Sequence, residues 1–350
     1  MKISSNLVGL FMVLLGFILC TLFYVSSPGT FDDNYSYVSR EPDLLIEKTI
    51  YDMQINARQS NESYHFDNDD FMQIQTNVQK RRKQILERGC YLSSNRLTHL
   101  NMAIDPPRNL IVDDKNQLIY CFVPKVACTS WKMVFLQLNG FLHPGKTLPQ
   151  YFVNRPGLKK LSVLEEYTLP QRRYILGHYK KFMFTRNPYS RVLSVYRNKL
   201  DPGSTFDRAK KWQNTLGKVI ASKFKDKKSI TNSSLTFPKF ISFLLQANSP
   251  DNRHWKSVYD SCFPCDVKYD VIGRFETLET DAKYILKLIG KGQTIHFPQA
   301  EQSSPTNSSK PEVLKEYYSK VSRRDMKKLY AKYKLDFELF GYSEMKFDKS

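Results

Sequence analysis

The sequence predicts an α/β domain whose central parallel sheet is flanked by helices. Three short apolar runs are each followed by a segment in which apolar residues recur at helical spacing, the pattern of repeated strand–helix units. The runs are Leu118–Val123 (LIYCFV), Lys181–Thr185 (KFMFT) and Tyr269–Phe275 (YDVIGRF). Because strands joined through helices run in the same direction, these units predict a parallel sheet.

The helix of each unit carries its own start or stop signal. In the first unit, apolar residues at i, i+3, i+4 and i+7 are followed by Gly140. In the second, Asn187 is placed to cap the helix and Pro188 to occupy its first position. In the third, the pattern ends before Gly290. The apolar positions are Trp131, Val134, Phe135 and Leu138, then Val192, Leu193 and Tyr196, then Ala282, Ile285, Leu286 and Ile289.

The N-terminal segment Leu7–Val25 contains no charged residue and has about the length that spans a bilayer core. Lys2 precedes it, and Asp32 and Asp33 follow, so the positive-inside rule predicts that the rest faces a lumen. A cleaved signal peptide is the competing interpretation, but no small-x-small cleavage site follows. We predict a cytoplasmic tail at 1–6, an anchor at 7–25, a stem at 26–95 and the folded domain at 96–350.

Three segments outside the units carry weaker signals. The stem is polar, with one helix predicted at Phe71–Arg88, and its basic run Lys80–Lys83 is interpreted as a solvated helix face. Asp201–Ser234 is rich in Lys and Ser, which predicts a long exposed excursion. Aromatic residues near the C-terminus predict a terminal helix packed against the core: Tyr330, Tyr333, Phe337 and Phe340.

The charge balance points to an anionic partner. The chain has 53 Lys and Arg against 34 Asp and Glu, a formal net charge of +19, which suits nucleic acid, an acidic membrane or an acidic polysaccharide. Four N-glycosylation sequons favour a lumenal location, which disfavours nucleic acid. They begin at Asn34, Asn61, Asn232 and Asn307. A lumen also permits disulfides among Cys90, Cys121, Cys128, Cys262 and Cys265.

The stretch Tyr120–Lys132 (YCFVPKVACTSWK) has the order strand, turn, cation and helix start that a phosphate site needs. Lys125, the free amides of residues 126–130 and the hydroxyls of Thr129 and Ser130 should converge at the positive end of the helix dipole. The glycines of a Walker A loop are absent, which disfavours a kinase-like enzyme that uses ATP. On the local pattern alone, an ordinary turn capped by Thr129 explains the stretch equally well.

The second unit favours the anion site. Arg186 follows a strand at its carboxyl end, where open α/β sheets bind ligands, and Ser190, Ser194 and Arg197 share one face of the next helix. A guanidinium and a hydroxyl in that place suit a dianionic phosphate. Two such sites at two strand ends predict a ligand with two separated anionic groups. Taken alone, Arg191 and Arg197 are typical of solvated helix charges.

The motifs PKVACTSWK and FTRNPYSRVLSVYRNK together resemble the paired nucleotide-binding motifs of Golgi carbohydrate sulfotransferases. The similarity is greatest to the chondroitin 4-O-sulfotransferases, in the family that includes the dermatan and natural-killer-epitope enzymes. It continues through HWKSVYDSCFPCDVKYDVIGRFETLETDA and KLYAKYKLDFELFGYS, and so covers Leu97–Ser343. The resemblance implies a P-loop-like sulfotransferase fold in a type II Golgi membrane protein whose catalytic domain is lumenal.

The resemblance also implies the reaction, which is transfer of a sulfuryl group from 3′-phosphoadenosine 5′-phosphosulfate (PAPS) to a sugar hydroxyl, without a metal. The expected acceptor is the 4-hydroxyl of N-acetylgalactosamine in chondroitin or dermatan. Arg186 and Ser194 are implied to hold the 3′-phosphate. Asn187 departs from the acidic residue usual in the family, but it can still cap the helix. The implied 5′-phosphosulfate loop comprises Lys125, Val126, Ala127, Cys128, Thr129, Ser130, Trp131 and Lys132.

Sulfuryl transfer requires positioning, charge stabilisation and a base for the proton of the acceptor hydroxyl. Lys125 is implied to neutralise the charge that grows on the leaving phosphate oxygen. His254, in DNRHWKS, occupies the family's His-Trp motif and is the first candidate for the base, although a lone histidine is more often structural. His178 is the rival, and His143 and His296 have weaker cases.

Two further features leave alternatives open. Cys262 and Cys265 form a CFPC motif, and because a zinc site would need two more ligands, a disulfide or two separate bridges is the better interpretation. Phe275 and Glu276 lie where sulfotransferases often present an aromatic ring to adenine, but a core phenylalanine at a strand end explains Phe275 as well.

A second function, from another class, also fits the chain. A lumenal protein could keep the sulfotransferase fold, bind acidic glycans and lack catalysis. Asn187 in place of an acidic residue favours that hypothesis, whereas the intact set Lys125, Arg186, Ser194 and His254 disfavours it. Both hypotheses use the net charge of +19 to bind an acidic glycan.

Overall fold

The sheet confirms the predicted α/β class. The computed structural model describes residues 68–206, 208–224, 235–250, 252–298 and 306–345. Within these residues a four-stranded sheet has the order β1-β2-β3-β4, and the last three strands run parallel. The first strand lies at the edge of the sheet and pairs antiparallel with the second. The apolar pattern does not predict this strand. The strands are β1 (Leu110–Asp113), β2 (Leu118–Cys121), β3 (Lys180–Thr185) and β4 (Val271–Arg274).

Helices surround this sheet. In chain order the α-helices of four residues or more in the described part are α1 (Asn68–Leu92), α2 (Cys128–Leu138), α3 (Leu169–His178), α4 (Pro188–Val195), α5 (Ala209–Trp212), α6 (Lys218–Lys223), α7 (Phe237–Leu244), α8 (Val258–Cys262), α9 (Pro264–Val267), α10 (Leu278–Leu288), α11 (Pro311–Tyr318), α12 (Arg323–Lys332) and α13 (Lys334–Phe340). Short helical turns join several of them: Ser94–Arg96, Gln150–Phe152, Val153–Gly157, Leu158–Lys160, Leu164–Glu166, Tyr196–Leu200, Gln213–Gly217 and Phe275–Thr277.

The three strand–helix units form as their sequence signals predict. Gly140 and Gly290 follow α2 and α10 with φ of 76° and 68°, the left-handed conformation that ends a helix at little cost for glycine. The side chain of Asn187 accepts hydrogen bonds from the amides of Tyr189 and Ser190, so the predicted cap of α4 is confirmed. Pro188 occupies the first helical position, where its missing N–H costs nothing.

An aromatic cluster fills the space between the sheet and α2. The ring of Trp131 lies 4.6 Å from that of Phe182 and 5.4 Å from that of Phe184, and Tyr120 stacks on Phe182 at 4.8 Å. These rings are buried. Pairs of this kind each contribute roughly 0.5–1.5 kcal/mol beyond the burial of their surface. The cluster fixes α2 on the sheet, and with it the loop that precedes α2.

Helix α1 is a packed part of the domain, although its residues fall within the predicted stem. Arg82, 4% exposed, donates to both carboxylate oxygens of Asp281 at 2.9 Å and to the carbonyl of Ile272 at 2.8 Å. The amide of Ile272 in turn donates to the side chain of Gln79. The prediction that the basic run Lys80–Lys83 is a solvated face is therefore wrong for Arg82, because that guanidinium is neutralised in the interior.

The segment predicted as an exposed excursion is helical over much of its length. Residues 209–223 form helical turns, and Ala209 and Ile220 are buried, because apolar side chains recur among the lysines at helical spacing. At the C-terminus, the predicted terminal helix is confirmed as the pair α12 and α13. Their aromatic residues pack into the core: Tyr330, Tyr333, Phe337 and Phe340.

Several predictions fall on residues outside the described part. These are the cytoplasmic tail at 1–6, the anchor at 7–25, residues 26–67 of the stem, and the sequons at Asn34, Asn61 and Asn232. Among the described residues, no helix combines the length and apolarity that a bilayer crossing requires. Asn307, the remaining sequon, is exposed in the turn before α11.

Candidate functional site

The candidate site lies at the carboxyl edge of the three parallel strands. The β2–α2 loop (residues 122–127) follows β2, Arg186 follows β3, and Phe275 follows β4. Two further segments reach this edge: the histidine loop (residues 252–257) and residues 306–309, which precede α11. The carboxyl edge of a parallel sheet is where open α/β folds bind ligands.

The β2–α2 loop forms a turn of unusual backbone conformation. Lys125 and Ala127 have φ of 71° and 62°, in the left-handed region that non-glycine residues rarely adopt. Alternation of left- and right-handed residues turns successive backbone amides toward one point and makes an anion-binding hollow. Two left-handed residues two positions apart are compatible with such a hollow without glycines, and they hold strain of the kind found at functional sites. Ala127 is the N-cap of α2, so the alternative in which Thr129 caps the helix is wrong.

Lys125 carries a cation that the described residues leave without an acidic partner. Burial, and then the positive charges of Arg186 and Lys199, lower the pKa of its ammonium to about 7. Since like charges have been brought together in a poorly solvated place, the arrangement costs free energy until an anion arrives. We interpret this as a binding site prepared for negative charge.

A hydrogen-bonded chain orients Thr129. The ammonium of Lys132 donates to Oδ1 of Asn154 at 2.9 Å, and Nδ2 of Asn154 donates to Oγ1 of Thr129 at 3.0 Å. Because the Asn154 amide is fixed in this orientation by the ammonium, the Thr129 hydroxyl accepts from it and keeps its own proton for another acceptor. Lys132 is buried, and its ammonium also lies 3.9 Å from the ring centre of Phe122. The sequence did not identify Asn154.

The other predicted residues of this stretch differ in their surroundings. Val126 and Trp131 are buried, and Trp131 belongs to the aromatic cluster, so its side chain stabilises the helix rather than facing the loop. Ser130 is buried on the first turn of α2, and Cys128 is half-buried with a free thiol. Any contact of Val126 and Trp131 with an anion would therefore be made through the backbone.

Arg186 lies next to the β2–α2 loop. Its Nη1 donates to the carbonyl oxygen of Lys125 at 3.0 Å, and its Nη2 donates to the hydroxyls of Ser308 and Ser309 at 2.9 and 2.8 Å. The guanidinium carbon lies 3.9 Å from the ring centre of Phe275. Burial lowers the pKa of Arg186 to about 10, and its Nε is buried without a hydrogen-bond partner in the described residues. That orphaned donor is available to an anion.

Hydroxyl groups connect Arg186 to Ser194. Oγ of Ser194 lies 3.0 Å from Oγ1 of Thr306, which lies 2.8 Å from Oγ of Ser308. All three are buried. Hydroxyls rotate to donate or accept, so this cluster can turn several protons toward one anion. The structure thus brings the predicted pair Arg186 and Ser194 together.

His254 occupies the histidine loop with its ring held in one orientation. Its Nδ1 is 2.8 Å from Oδ1 of Asn252, which also accepts the backbone amide of His254 at 3.0 Å. Because an amide oxygen can only accept, Nδ1 carries the proton and Nε2 is left as an acceptor. The ring of Trp212 meets the imidazole at an interplanar angle of 80°. This tautomer suits a base that takes a proton at Nε2.

The surroundings of His254 are strongly positive. Burial, followed by the charges of Lys199, Arg253, Lys125 and Arg191, lowers the pKa of His254 to about 3. The imidazole is therefore neutral at physiological pH. The influence of Lys125 also indicates that the histidine loop and the β2–α2 loop border the same site.

Arg191 is a residue whose role the sequence did not show. It was interpreted as a solvated helix charge, but it is 2% exposed and its three donors reach carbonyl oxygens of the β2–α2 loop and the histidine loop. Its position on α4 directs it toward these two loops instead of toward solvent. The sequence near Arg191 does not indicate this buried role, because the atoms that Arg191 contacts are backbone carbonyls distant in sequence.

Among the described residues, the three other candidate histidines have no contacts comparable to those of His254. His178 ends α3 just before the amino end of β3, at the opposite edge of the sheet, where Nδ1 bonds the carbonyl of Tyr174. His143 and His296 are exposed. Phe275 is partly exposed beneath Arg186, and the carboxylate of Glu276 accepts from the amide of Asn187 and the hydroxyl of Tyr342.

The two cysteines of the CFPC motif belong to two separate disulfides. This is one of the two interpretations that the sequence left open. Cys90 pairs with Cys265, joining α1 to α9, and Cys121 pairs with Cys262, joining β2 to α8. Since all four sulfurs are in disulfides, the motif offers no thiolate to a metal. The second bridge links the strand before the β2–α2 loop to the helix after the histidine loop.

Comparison with known proteins identifies the family of the chain. Residues 108–343 match the model of the sulfotransferase family. Carbohydrate sulfotransferase 11 of Danio rerio is 32% identical over 272 residues that cover 76% of both chains. Carbohydrate sulfotransferase 14 of Danio rerio is 37% identical over 241 residues, 67% of this chain and 62% of the relative. No solved structure matches the chain. The predicted resemblance is confirmed, and the chain belongs to the sulfotransferase family.

Proposed function

We propose that this protein transfers a sulfuryl group from PAPS to a carbohydrate hydroxyl, which we take to be the 4-hydroxyl of N-acetylgalactosamine in chondroitin or dermatan. The observation that carries the proposal is a pair of cationic clusters at neighbouring strand ends. Lys125 with its left-handed loop forms one, and Arg186 with Ser194 forms the other. A nucleotide with a 5′-phosphosulfate and a 3′-phosphate has the two separated anions that such a pair requires.

The residues present fit that donor. At the first site, the Lys125 ammonium, which has no acidic partner among the described residues, and the hydroxyl proton of Thr129 would bind the 5′-phosphosulfate. At the second, the orphaned Nε of Arg186 and the hydroxyl of Ser194 would bind the 3′-phosphate. When bound, PAPS supplies the sulfuryl group and a nucleotide leaving group.

Within this arrangement His254 accepts the proton of the attacking hydroxyl at Nε2, while Asn252 holds Nδ1. The acceptor oxygen forms a bond to sulfur as the bond from sulfur to the bridging phosphate oxygen breaks. The electron pair of that broken bond stays on the 5′-phosphate, and the Lys125 ammonium neutralises the charge that develops there. The products are the sulfate ester, 3′-phosphoadenosine 5′-phosphate (PAP) and protonated His254.

The acceptor class rests on the relatives and on charge. Proteins named carbohydrate sulfotransferase 11 and 14 cover two thirds or more of this chain at 32% and 37% identity. The net charge of +19 favours an acidic glycan. We further propose a type II Golgi membrane protein with a lumenal catalytic domain, anchored by residues 7–25.

The test uses the full-length protein, radiolabelled PAPS and a panel of desulfated glycans. We expect label on chondroitin or dermatan, and loss of that label in Lys125→Ala. The matched control is Lys115→Ala, since Lys115 is an exposed lysine in the β1–β2 turn at the opposite edge of the sheet. His254→Gln should lower kcat by about 10²–10⁴-fold, the range for loss of a general base.

Other outcomes identify other functions. Glycan binding without transfer would support the non-catalytic hypothesis. Label on another glycan alone would retain sulfuryl transfer and reject the acceptor. Phosphate transfer from labelled ATP, with none from PAPS, would reject the sulfotransferase proposal.

A further inference from the structure

Arg191 joins the two loops that the proposed chemistry uses. Its Nε donates to the carbonyl oxygen of Pro124 at 3.1 Å, in the β2–α2 loop. Its Nη1 donates to that of Lys256 at 2.7 Å and its Nη2 to that of Arg253 at 3.4 Å, both in the histidine loop. Pro124 immediately precedes Lys125, and Arg253 immediately precedes His254. One planar guanidinium thus spans the space between the two functional residues.

Keeping this charge in the interior is costly. Burial lowers the pKa of the Arg191 guanidinium, and within the described part of the chain its hydrogen bonds go to neutral carbonyls. Asp336 lies near enough to act on that pKa, but its two oxygens accept the amides of Val258 and Tyr259. A buried charge without a hydrogen-bonded carboxylate is poorly explained by stability alone.

We propose that Arg191 is a positioning residue that couples the β2–α2 loop to the histidine loop, fixing the ammonium of Lys125 relative to the imidazole of His254. The inference rests on the proposed function. In-line transfer needs the leaving oxygen, the sulfur and the attacking oxygen on one line, so the residues that serve the two ends must keep a set separation. Three bonds from one rigid fork set that separation better than a flexible side chain would.

Other contacts hold the histidine loop in place and should preserve the fold when the Arg191 guanidinium is removed. The hydroxyl of Tyr333 donates to the carbonyl of Trp255 at 2.6 Å, and Asp336 caps the amides that begin α8. The Cys121–Cys262 disulfide also holds α8 to β2. Removing the fork should therefore shift the loops relative to one another and leave the domain folded.

The test variant is Arg191→Lys, which keeps the charge and loses the fork. We expect kcat for sulfuryl transfer to fall by about 100-fold, the cost of a misplacement near 1 Å. The dissociation constant for PAP should change by no more than about threefold, because the groups that bind it are intact. The matched control is Arg172→Lys. Arg172 is also a guanidinium that donates to backbone carbonyls, those of Ala103, Ile104, Leu164 and Glu165.

A second measurement does not depend on turnover. The imidazole signal of His254 in ¹³C–¹H NMR spectra, assigned with His254→Gln, should shift when PAP is added to the wild-type protein. In Arg191→Lys that shift should be much smaller, although PAP still binds, because the imidazole is no longer held at a set distance from Lys125 and the phosphate bound there. If the wild type transfers no sulfuryl group to any acceptor, the proposed function fails, and this measurement still decides the coupling.

Three results would overturn the coupling. One is an equal PAP-induced shift of the His254 signal in Arg191→Lys and the wild type. For another, the loss of kcat is divided by the loss of Tm in each variant. The coupling is overturned if this ratio is no greater for Arg191→Lys than for Arg172→Lys. The third is failure of both Arg191→Lys and Arg191→Gln to fold while Arg172→Lys folds, which would assign Arg191 to stability.

Discussion

The charge state of Lys125 predicts that binding of PAP takes up a proton. Burial and the charges of Arg186 and Lys199 lower the Lys125 pKa to about 7, so about half of the free protein carries the neutral amine at pH 7. A phosphate bound beside the ammonium favours the charged form and raises that pKa. Binding is therefore linked to protonation and must weaken as pH rises through about 7.

The magnitude follows from that pKa. If the protonated form alone binds, affinity follows the protonated fraction, which is about 0.9 at pH 6 and about 0.1 at pH 8. PAP should bind about tenfold more weakly at pH 8 than at pH 6 through Lys125 alone. Binding should take up about 0.9 proton per site at pH 8 and about 0.1 at pH 6.

Isothermal titration calorimetry in pairs of buffers with different ionisation enthalpies measures this proton uptake. The 3′- and 5′-phosphates of PAP are both monoesters that titrate near pH 6, so they contribute to the signal, and least at pH 8. Lys125→Met keeps that contribution and removes the lysine, and the difference between the two proteins isolates Lys125. Equal proton uptake in the wild type and Lys125→Met at pH 8 would refute the reasoning.

Three further predictions concern stability. Arg82→Met leaves a buried carboxylate unpaired and should lower the free energy of unfolding by about 3–5 kcal/mol in urea titrations, whereas Lys80→Met on the exposed face should change it by no more than about 0.5 kcal/mol. Gly273→Ala places a methyl group into the ring of Phe184 and should cost about 1–3 kcal/mol, seen as a lower Tm in scanning calorimetry. Asn187→Ala should cost about 1 kcal/mol through loss of the cap of α4, while Asn187→Asp, which keeps an oxygen acceptor, should unfold at nearly the wild-type temperature.

The strand–helix units were predictable because their signals are local. Apolar period, the Asn187 cap and a glycine after the helix act within a few residues, and β3 and α4 form as those signals require. The place of α1 was not predictable in the same way. Arg82 finds its carboxylate in Asp281, 199 residues away, and nothing near Arg82 distinguishes it from its solvated neighbours.

The residues of the candidate site also divide into those with local sequence signals and those without. Lys125 and Arg186 were predicted because each follows a strand in a recognisable motif. Ser194 was predicted because it lies on one face of the helix that follows Arg186. Asn154 and Arg191 were not, because both act on atoms brought close by folding, a threonine hydroxyl in one case and backbone carbonyls in the other. Residues that hold other functional groups in place have few local signals of their own.

The charges of the site also imply an order of events. Burial, together with the cations around His254, keeps its pKa near 3, and a base that weak removes a sugar proton poorly. Lys125 and Lys199 depress the pKa of His254, and the donor's anionic groups would neutralise charge in the same cluster. Binding of the donor should therefore raise the pKa of His254 toward the range in which it can act. On this argument an acceptor that arrives first meets an ineffective base, so proton removal waits for the donor.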